Sequence, residues 1–500
     1  MSFISTDFLL FLLLAVFSYH LLPDRHKWKH LLVFSLFFYA CTGLRHLFLL
    51  LVLSLVDFLA ALRIDRSSTT AGKHRILALG VGLNVAVLVV FKYSGFLLAT
   101  IDATLGRLGI LPTIPAPDIL LPLGISYYIF KKISYLIDVY RGNDPPVKSL
   151  GRFYLYVFYF PEIIAGPIDR AGRLIPQFRQ TDGFDRDGLV RGGQQLVWGL
   201  FKKLVIADRL AKTVTVVYEN PSAYPGPTLL LATLFFSIQI YCDFSGYSDM
   251  AIGIGRMLGH RLADNFNRPY FAVSVADFWN RWHISLSTWL RDYLFLPISF
   301  ALSRRIKSAR VWRLRTEVFV YLTAAFLTMV LCGLWHGSGT TFLVWGALHG
   351  LFLGVSFLTR RSRRRLKKRL GIRKASRFNH ALQVTLTFIT VTFAWIFFRA
   401  ASLADGMTVV GRLFSGYDGL LSSGGLKSAL IVGDASTEFF LSLLGILVLM
   451  IFETLQPRIG ISRTFRRIPL ALRWMILYTG ILFILVFGVH DVEVFIYELF

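Results

Sequence analysis

The chain has 500 residues, of which 55% are hydrophobic and 17% are charged, whereas soluble domains usually contain about 25% charged residues. Apolar runs of about 20 residues recur along the chain, which favours an all-α polytopic membrane protein and excludes a soluble multidomain protein. A transmembrane barrel, which would need short alternating segments, is excluded too. The net charge of +25 is explained by basic loops beside anionic lipid headgroups, so we expect the lipid bilayer, and no nucleic acid, as a partner.

Eleven apolar segments are expected to cross or enter the membrane as parts of one domain over residues 1–500. The first has no preceding basic residue and no cleavage site, which favours a retained span over a signal peptide. The second is long enough for one tilted span or a tight pair of helices. The fifth contains two prolines and a glycine, so we expect a half-helix that enters and turns back. In chain order the segments are 3–22, 31–61, 76–101, 119–139, 153–168, 228–258, 318–335, 340–358, 380–398, 437–455 and 471–489.

The distribution of Lys and Arg sets the expected orientation. Loops 303–315, 359–377 and 457–473 are rich in basic residues and are expected in the cytoplasm. Loop 359–377 contains eleven Lys and Arg residues, whereas the stretch 401–436 contains two and is expected outside. Counting spans between these loops puts the C-terminus outside, and the absence of Lys and Arg before Arg25 puts the N-terminus outside as well.

The first candidate for chemistry is His336, in the sequence LWHGSG at the junction of segments 318–335 and 340–358. A helix of about 20 residues rises about 30 Å from the preceding basic loop, so we expect His336 deep in the membrane or at the floor of an outward pit. An ionisable residue at that depth indicates function, and an imidazole can remove a hydroxyl proton near neutral pH. The flanking glycines indicate a turn without bulky packing. A structural histidine, hydrogen-bonded to a neighbouring helix, explains the residues equally well.

The second candidate lies in segment 270–297, which, like 192–217, mixes apolar and charged residues and is expected in the interface or inside a ring of spans. A helical period over Asp277–Pro297 would put five polar residues on one stripe, with an ion pair between Asp277 and Arg281, and three tryptophans opposite. His283 would lie near the edge of the apolar face. It can be a catalytic or substrate-orienting residue, but the residues alone favour a hydrogen-bonded histidine in an interfacial anchor.

Asp243 and Asp249, together with several hydroxyls, interrupt the apolar segment 228–258. They indicate either a polar cavity or, as we favour, a structural network that closes a broken helix. The glycine spacing that follows does not match a dinucleotide-binding motif and favours close helix packing.

Glu162 lies in the turn that we expect within segment 153–168, where it can line a cavity. No group of residues has metal-ligand spacing, so we expect no metal. The three cysteines are far apart in apolar context and predict no disulfide framework.

Four long motifs in fixed order resemble the membrane-bound O-acyltransferase family, most closely its bacterial branch of alginate O-acetylation membrane proteins. The teichoic acid D-alanyl transferases are similar to a lesser degree. The resemblance is densest from about 120 to 400. It implies a ring of about 11 or more transmembrane or re-entrant helices around a thin central partition, where a cytoplasmic acyl donor and an external acceptor meet. The motifs are PEIIAGPI, YCDFSGYSDMAIGIGRMLG, NFNRPYFAVSVADFWNRWHISLSTWLRDYLFLPI and LWHGSGTTFLVWGALHG.

The resemblance implies His336 as the catalytic base and His283 as a second histidine that positions or polarises a reactant. The other residues expected to line or support the cavity are Asp243, Asp249, Asn280, Arg281, Trp335 and Glu162. The implied activity is O-acetylation of an exported polysaccharide such as alginate, in the bacterial inner membrane. We expect no tightly bound cofactor, and acetyl-CoA or a related thioester as the cytoplasmic donor. The acceptor is expected to be the polysaccharide or an external periplasmic acetyltransferase.

Three other functions stay open. D-alanyl transfer to teichoic acid would need a groove for the arm of a carrier protein. A transporter or lipid flippase would need inverted repeats with paired broken helices, which the sequence does not show. A non-catalytic scaffold would tolerate loss of His336.

Overall fold

The computed structural model describes residues 3–107, 122–179, 185–373, 376–418, 436–459 and 469–489. Within these ranges the chain is helical apart from turns, loops and one antiparallel hairpin, which pairs β1 (Arg310–Val311) with β2 (Leu314–Arg315). The chain divides into two compact units, Met1–Leu196 with Tyr247–Asp264 and Val197–Gly246 with Asn265–Phe500. The prediction of one membrane domain stays a prediction.

Eight α-helices begin in the described part of the first unit, and serine side chains cap two of them. Ser5 accepts a hydrogen bond from Phe8 N, and Ser149 accepts one from Arg152 N. Gly43, with a φ of 135°, separates the second helix from the third, so segment 31–61 forms a pair of helices. The helices are α1 (Thr6–Leu21), α2 (Asp24–Ala40), α3 (Leu44–Arg66), α4 (Thr70–Arg107), α5 (Ile125–Arg141), α6 (Leu150–Phe158), α7 (Ala171–Leu174) and α8 (Arg186–Leu200).

The remaining helices begin in the second unit, where two π-helical turns, Phe201–Ala207 and Arg291–Phe295, join consecutive helices. The tenth helix contributes its residues after Gly246 to the first unit. The helices are α9 (Asp208–Glu219), α10 (Gly226–Met257), α11 (Val275–Trp279), α12 (Ile284–Leu290), α13 (Leu296–Arg305), α14 (Thr316–His336), α15 (Thr340–Leu358), α16 (Arg360–Arg369), α17 (Arg377–Arg399), α18 (Leu403–Arg412), α19 (Ser436–Ile459) and α20 (Leu470–Phe487).

Seven helices among the described residues are long and apolar enough to cross a membrane. They lie in α3, α4, α10, α14, α15, α17 and α19, while α1 and α20 are shorter apolar helices. The protein is therefore an all-α, multi-pass membrane protein. The ring of about 11 helices stays a prediction.

The long helix α10 corrects one expectation, because it runs unbroken through Asp243 and Asp249. Each carboxylate is satisfied from another helix or turn. Lys203 Nζ lies 2.8 Å from Asp243, and Gln195 donates to Asp249 Oδ1 at 2.8 Å. The helix can therefore stay closed around its polar residues.

Segment 270–297 corrects a second expectation, because it is not one amphipathic helix. α11 ends at Trp279, residues 280–283 form a turn, and α12 begins at Ile284. Backbone hydrogen bonds to another segment hold this break open: Asn267 N donates to Arg281 O, and Ile284 N donates to Asn265 O, each at 2.9 Å. These long-range bonds replace helical ones, and sequence periodicity does not report them.

Among the described residues of the first unit, two ion pairs are buried. Lys131 Nζ lies 2.7 Å from Glu162, and Lys132 Nζ lies 3.0 Å from Asp57. Asn84 donates to the same aspartate at 2.8 Å. These groups tie α3, α4 and α5 to the turn that follows α6, because a buried charge needs both a counter-ion and hydrogen bonds.

The second unit contains a buried cation between two carboxylates. The π-helical turn Phe201–Ala207 places Lys203 Nζ 2.8 Å from both Asp208 and Asp243. The side chains of all three residues are buried. The turn thereby connects α9 to α10 through one lysine.

Helices α14 and α15 form a tight antiparallel hairpin through glycine contacts. A Cβ on Gly333 would lie 2.3 Å from Phe342 O, and one on Gly346 would lie 2.4 Å from Met329 O. Gly253 on α10 packs in the same way, since a Cβ there would lie 2.6 Å from Gly192 O. The predicted close helix packing is confirmed for Gly253, whereas Gly259 lies beyond the end of α10 in a turn with a φ of 77°.

Candidate active site

His336 is the last residue of α14, at the point where the chain turns into α15. It is buried, and its ring centroid lies 5.0 Å from that of Trp345 and 5.3 Å from that of Phe398. Gly337 follows it, where a Cβ would lie 2.2 Å from the Phe342 ring. The predicted position of His336 at the helix junction is confirmed. The expectation of a turn without bulky packing is wrong, because aromatic rings pack against it.

His283 occupies the turn between α11 and α12 with a φ of 43° and a ψ of 55°. A non-glycine residue in this left-handed conformation stores about 1–3 kcal/mol of strain, and such residues cluster at functional sites. The imidazole is fully buried and stands edge-on to Phe244, with a centroid distance of 4.5 Å. His283 therefore lies inside the protein and not at the edge of an amphipathic face.

The indole of Trp335 contacts both histidine rings. Its ring centroid lies 4.7 Å from that of His336 and 6.4 Å from that of His283. All three residues belong to the second unit and are buried. The arrangement offers two imidazoles beside one indole in a site that is largely closed to bulk water, where polar interactions are strong.

The other predicted residues lie in different surroundings. Arg281 forms the predicted ion pair with Asp277 at 2.9 Å, and Asn280 is exposed and lines a cavity. Asp243 is held by Lys203 in the second unit. In the first unit, Glu162 is held by Lys131 and Asp249 by Gln195. The side chains of Asp243, Asp249 and Glu162 are thus fixed in structural ion pairs or hydrogen bonds.

A cavity of about 390 Å³ lies in the second unit and is lined by residues of the α11–α12 segment and of α14. Asn280 and Ile284, on either side of the His283 turn, line it. Met329, on its α14 wall, precedes His336 by about two helical turns, or ~10 Å. Neither imidazole is a lining residue, so the cavity ends short of both.

The same cavity has a cationic lining residue near a basic loop. Arg291 and Tyr321 line it. Helix α14 begins directly after loop 303–315, and Tyr321 lies about one and a half helical turns into this helix. Asp292 accepts a hydrogen bond from Arg291 at 2.8 Å, and this bond raises the pKa of the guanidinium.

Four residues that hold the predicted ones were missed in the sequence: Lys203, Lys131, Gln195 and Asn265. Lys203 and Lys131 could have been found, because a lysine in an apolar segment requires a carboxylate partner. Asn265, whose Oδ1 lies 2.9 Å from His283 Nδ1, gives no such signal. Its contact with His283 depends on the fold and not on local spacing.

Comparisons with known proteins establish the family of the chain. A sequence model of the membrane-bound O-acyltransferase family matches residues 144–400. The chain is 38% identical over 426 residues to the protein named "Probable alginate O-acetylase" of Pseudomonas putida, and the aligned region covers 84% of this chain and 81% of the relative. It is 33% identical over 410 residues to the peptidoglycan O-acetyltransferase of Helicobacter pylori, covering 76% and 72%. It is 28% identical over 292 residues to the teichoic acid D-alanyltransferase of Bacillus subtilis, covering 57% and 71%. The chain therefore belongs to the membrane-bound O-acyltransferase family, and it is an acyltransferase.

Proposed function

We propose that this protein is an O-acetyltransferase of the bacterial inner membrane. It takes an acetyl group from a cytoplasmic thioester, acetyl-CoA or a related compound, and delivers it for O-acetylation of an exported polysaccharide such as alginate. The observation that carries this proposal is the placement of two buried imidazoles, His283 and His336, against the same indole. The names of the P. putida and H. pylori relatives support an acetyl group as the transferred unit.

His336 acts as the general base. It takes the proton of the acceptor hydroxyl as the oxygen attacks the thioester carbonyl, and a C–O bond forms. The C–S bond then breaks, and the departing thiolate takes the proton from the imidazolium. His283 positions a reactant beside His336, and the surrounding aromatic rings exclude water that would hydrolyse the thioester.

The cavity beside α14 supports entry of the donor from the basic side. Its lining residues extend from Tyr321, near loop 303–315, to Met329, about two helical turns before His336. The phosphates of acetyl-CoA would meet Arg291 and this basic loop, while the narrow thioester arm follows α14. The acceptor would approach from the opposite side as a polysaccharide hydroxyl or as the hydroxyl of an external acetyltransferase.

Chemical analysis of the exported polysaccharide tests this function. A strain that lacks the chain is expected to export polymer without acetyl esters, and a wild-type copy should restore them. Membrane vesicles supplied with labelled acetyl-CoA should pass the label to acceptor, while a labelled D-alanyl carrier protein should not. Unchanged acetyl content in the deletion strain would overturn the proposal. Transfer of D-alanine instead would favour the teichoic acid activity, and lost export without covalent transfer would favour a transporter.

Filling the cavity should block the donor without unfolding the protein. Ala325 lines the cavity and is 5% exposed, so we expect Ala325→Trp to occupy the space that the thioester arm would use. Acetyl transfer in vesicles should fall at least about tenfold, which corresponds to only ~1.4 kcal/mol of lost binding. Leu327→Trp is the matched control, because Leu327 lies on the same helix, is 42% exposed and does not line the cavity. Equal activity of the two variants would show that the donor does not use this cavity.

A further inference from the structure

The side chain of Asn265 forms a clamp around the His283 turn. Asn265 Oδ1 lies 2.9 Å from His283 Nδ1, 2.9 Å from Ser285 Oγ and 3.3 Å from Ser285 N. The backbone carbonyl of Asn265 also accepts a hydrogen bond from Ile284 N at 2.9 Å. One buried asparagine thus contacts the histidine and the two residues that follow it.

The hydrogen bonds determine which atom of the Asn265 amide faces His283. A backbone amide such as Ser285 N–H can only donate, so the atom that it faces must be the amide oxygen. The same oxygen faces His283 Nδ1, which must therefore carry a proton and donate it. A neutral imidazole has a single N–H, so Nε2 is the nitrogen with the lone pair.

We infer that Asn265 is a positioning residue that holds His283 in the tautomer with Nδ1 protonated and Nε2 basic. The inference rests on the proposed function, in which His283 contacts a reactant. A basic Nε2 accepts a hydrogen bond and cannot donate one, so it holds a hydroxyl group and does not polarise a carbonyl oxygen. The attacking hydroxyl has a single proton, which goes to His336, so His283 orients the acceptor through a second hydrogen-bond donor beside that hydroxyl. The thioester carbonyl is polarised by another group.

The tautomer can be measured directly in the wild-type protein. Nitrogen-15 spectra of protein labelled at its eleven histidines, in lipid, distinguish protonated from unprotonated ring nitrogens, and the difference from a His283→Gln sample assigns the signals. We expect a protonated Nδ1 and an unprotonated Nε2 for His283. The opposite tautomer, or an imidazolium, would overturn the inference. The spectrum does not depend on acetyl transfer, so an error in the tautomer and an error in the proposed function can be distinguished.

Two substitutions of similar size then test the positioning role. Asn265→Asp keeps the oxygen that accepts from Nδ1, whereas Asn265→Leu removes it. We expect the leucine variant to lose about 10- to 100-fold in acetyl transfer, by analogy with the loss of groups that orient metal-bound histidines. The aspartate variant should keep most of the transfer. In a His283→Gln background, Asn265→Leu should cause no further loss, because its effect acts through the imidazole.

Asn379→Leu serves as the matched control. Asn379 is also in the second unit and is 2% exposed, compared with 1% for Asn265. We expect wild-type transfer per folded molecule for this control. Full activity of Asn265→Leu, or equal loss in folded Asn265→Leu and Asn265→Asp, would overturn the positioning role. If the leucine variant is absent from the membrane, the wild-type spectrum and the aspartate variant decide the question.

Discussion

His336→Ala is expected to reduce the acetyl content of the polymer to that of a strain without the protein. A general base contributes about 10²–10⁴-fold to the rate, and no other imidazole contacts Trp335 except that of His283, as far as the chain is described. Because Trp345 and Phe398 pack against the imidazole, alanine leaves a void, so His336→Gln should be measured beside it. Acetyl esters are compared at equal amounts of protein in the membrane.

A matched control separates chemistry from packing. His349 is fully buried on α15 and also contacts Trp345, with a centroid distance of 4.9 Å. We expect His349→Gln to retain most of the acetyl transfer, because His349 contacts neither Trp335 nor His336 in the ring contacts of the described chain. Normal acetylation by both His336 variants would refute the base mechanism and favour the scaffold and transporter functions again.

Of the proposed substitutions, Lys203→Met is expected to lower the free energy of unfolding most. Lys203 lies between Asp208 and Asp243, and its removal leaves two buried carboxylates without their shared cation. Breaking a buried pair from one side typically destabilises a protein by about 3–5 kcal/mol. The melting temperature in detergent, followed by size-exclusion chromatography, should fall markedly, and less protein should reach the membrane.

Lys212→Met provides the comparison for this prediction. The Lys212 side chain is 44% exposed and lies 3.7 Å from Glu438, so its loss should change the free energy of unfolding by no more than about 0.5 kcal/mol. Equal melting temperatures for the two methionine variants would show that the cation between Asp208 and Asp243 is not needed for folding.

The sequence predicts α14, α15 and the place of His336 correctly, because long apolar runs and a glycine-rich junction are local features. It does not predict the turn at His283. The left-handed backbone there depends on Asn265, which lies 18 positions earlier in the chain. Periodicity treats Asp277–Pro297 as one helix because the contacts that break it are not local.

In α10, non-local contacts have the opposite effect: they keep intact a helix that the sequence predicts to be broken. Asp243 and Asp249 suggest a broken helix, since carboxylates in an apolar segment need partners. Lys203 and Gln195 supply those partners from other parts of the chain, so the helix remains intact. A sequence shows that a buried charge must be satisfied, but the fold decides which residue satisfies it.

The glycine contacts between α14 and α15 restrict how this enzyme could be engineered for larger acyl groups. Gly333 and Gly346 leave no room for a side chain, because each faces a backbone carbonyl oxygen within 2.4 Å of a would-be Cβ. The spacing of these helices is therefore fixed by main chain, and redesign of their contact face would displace His336. In the proposed donor cavity, space for a longer acyl chain would have to come from removable side chains such as Met329 and Leu353.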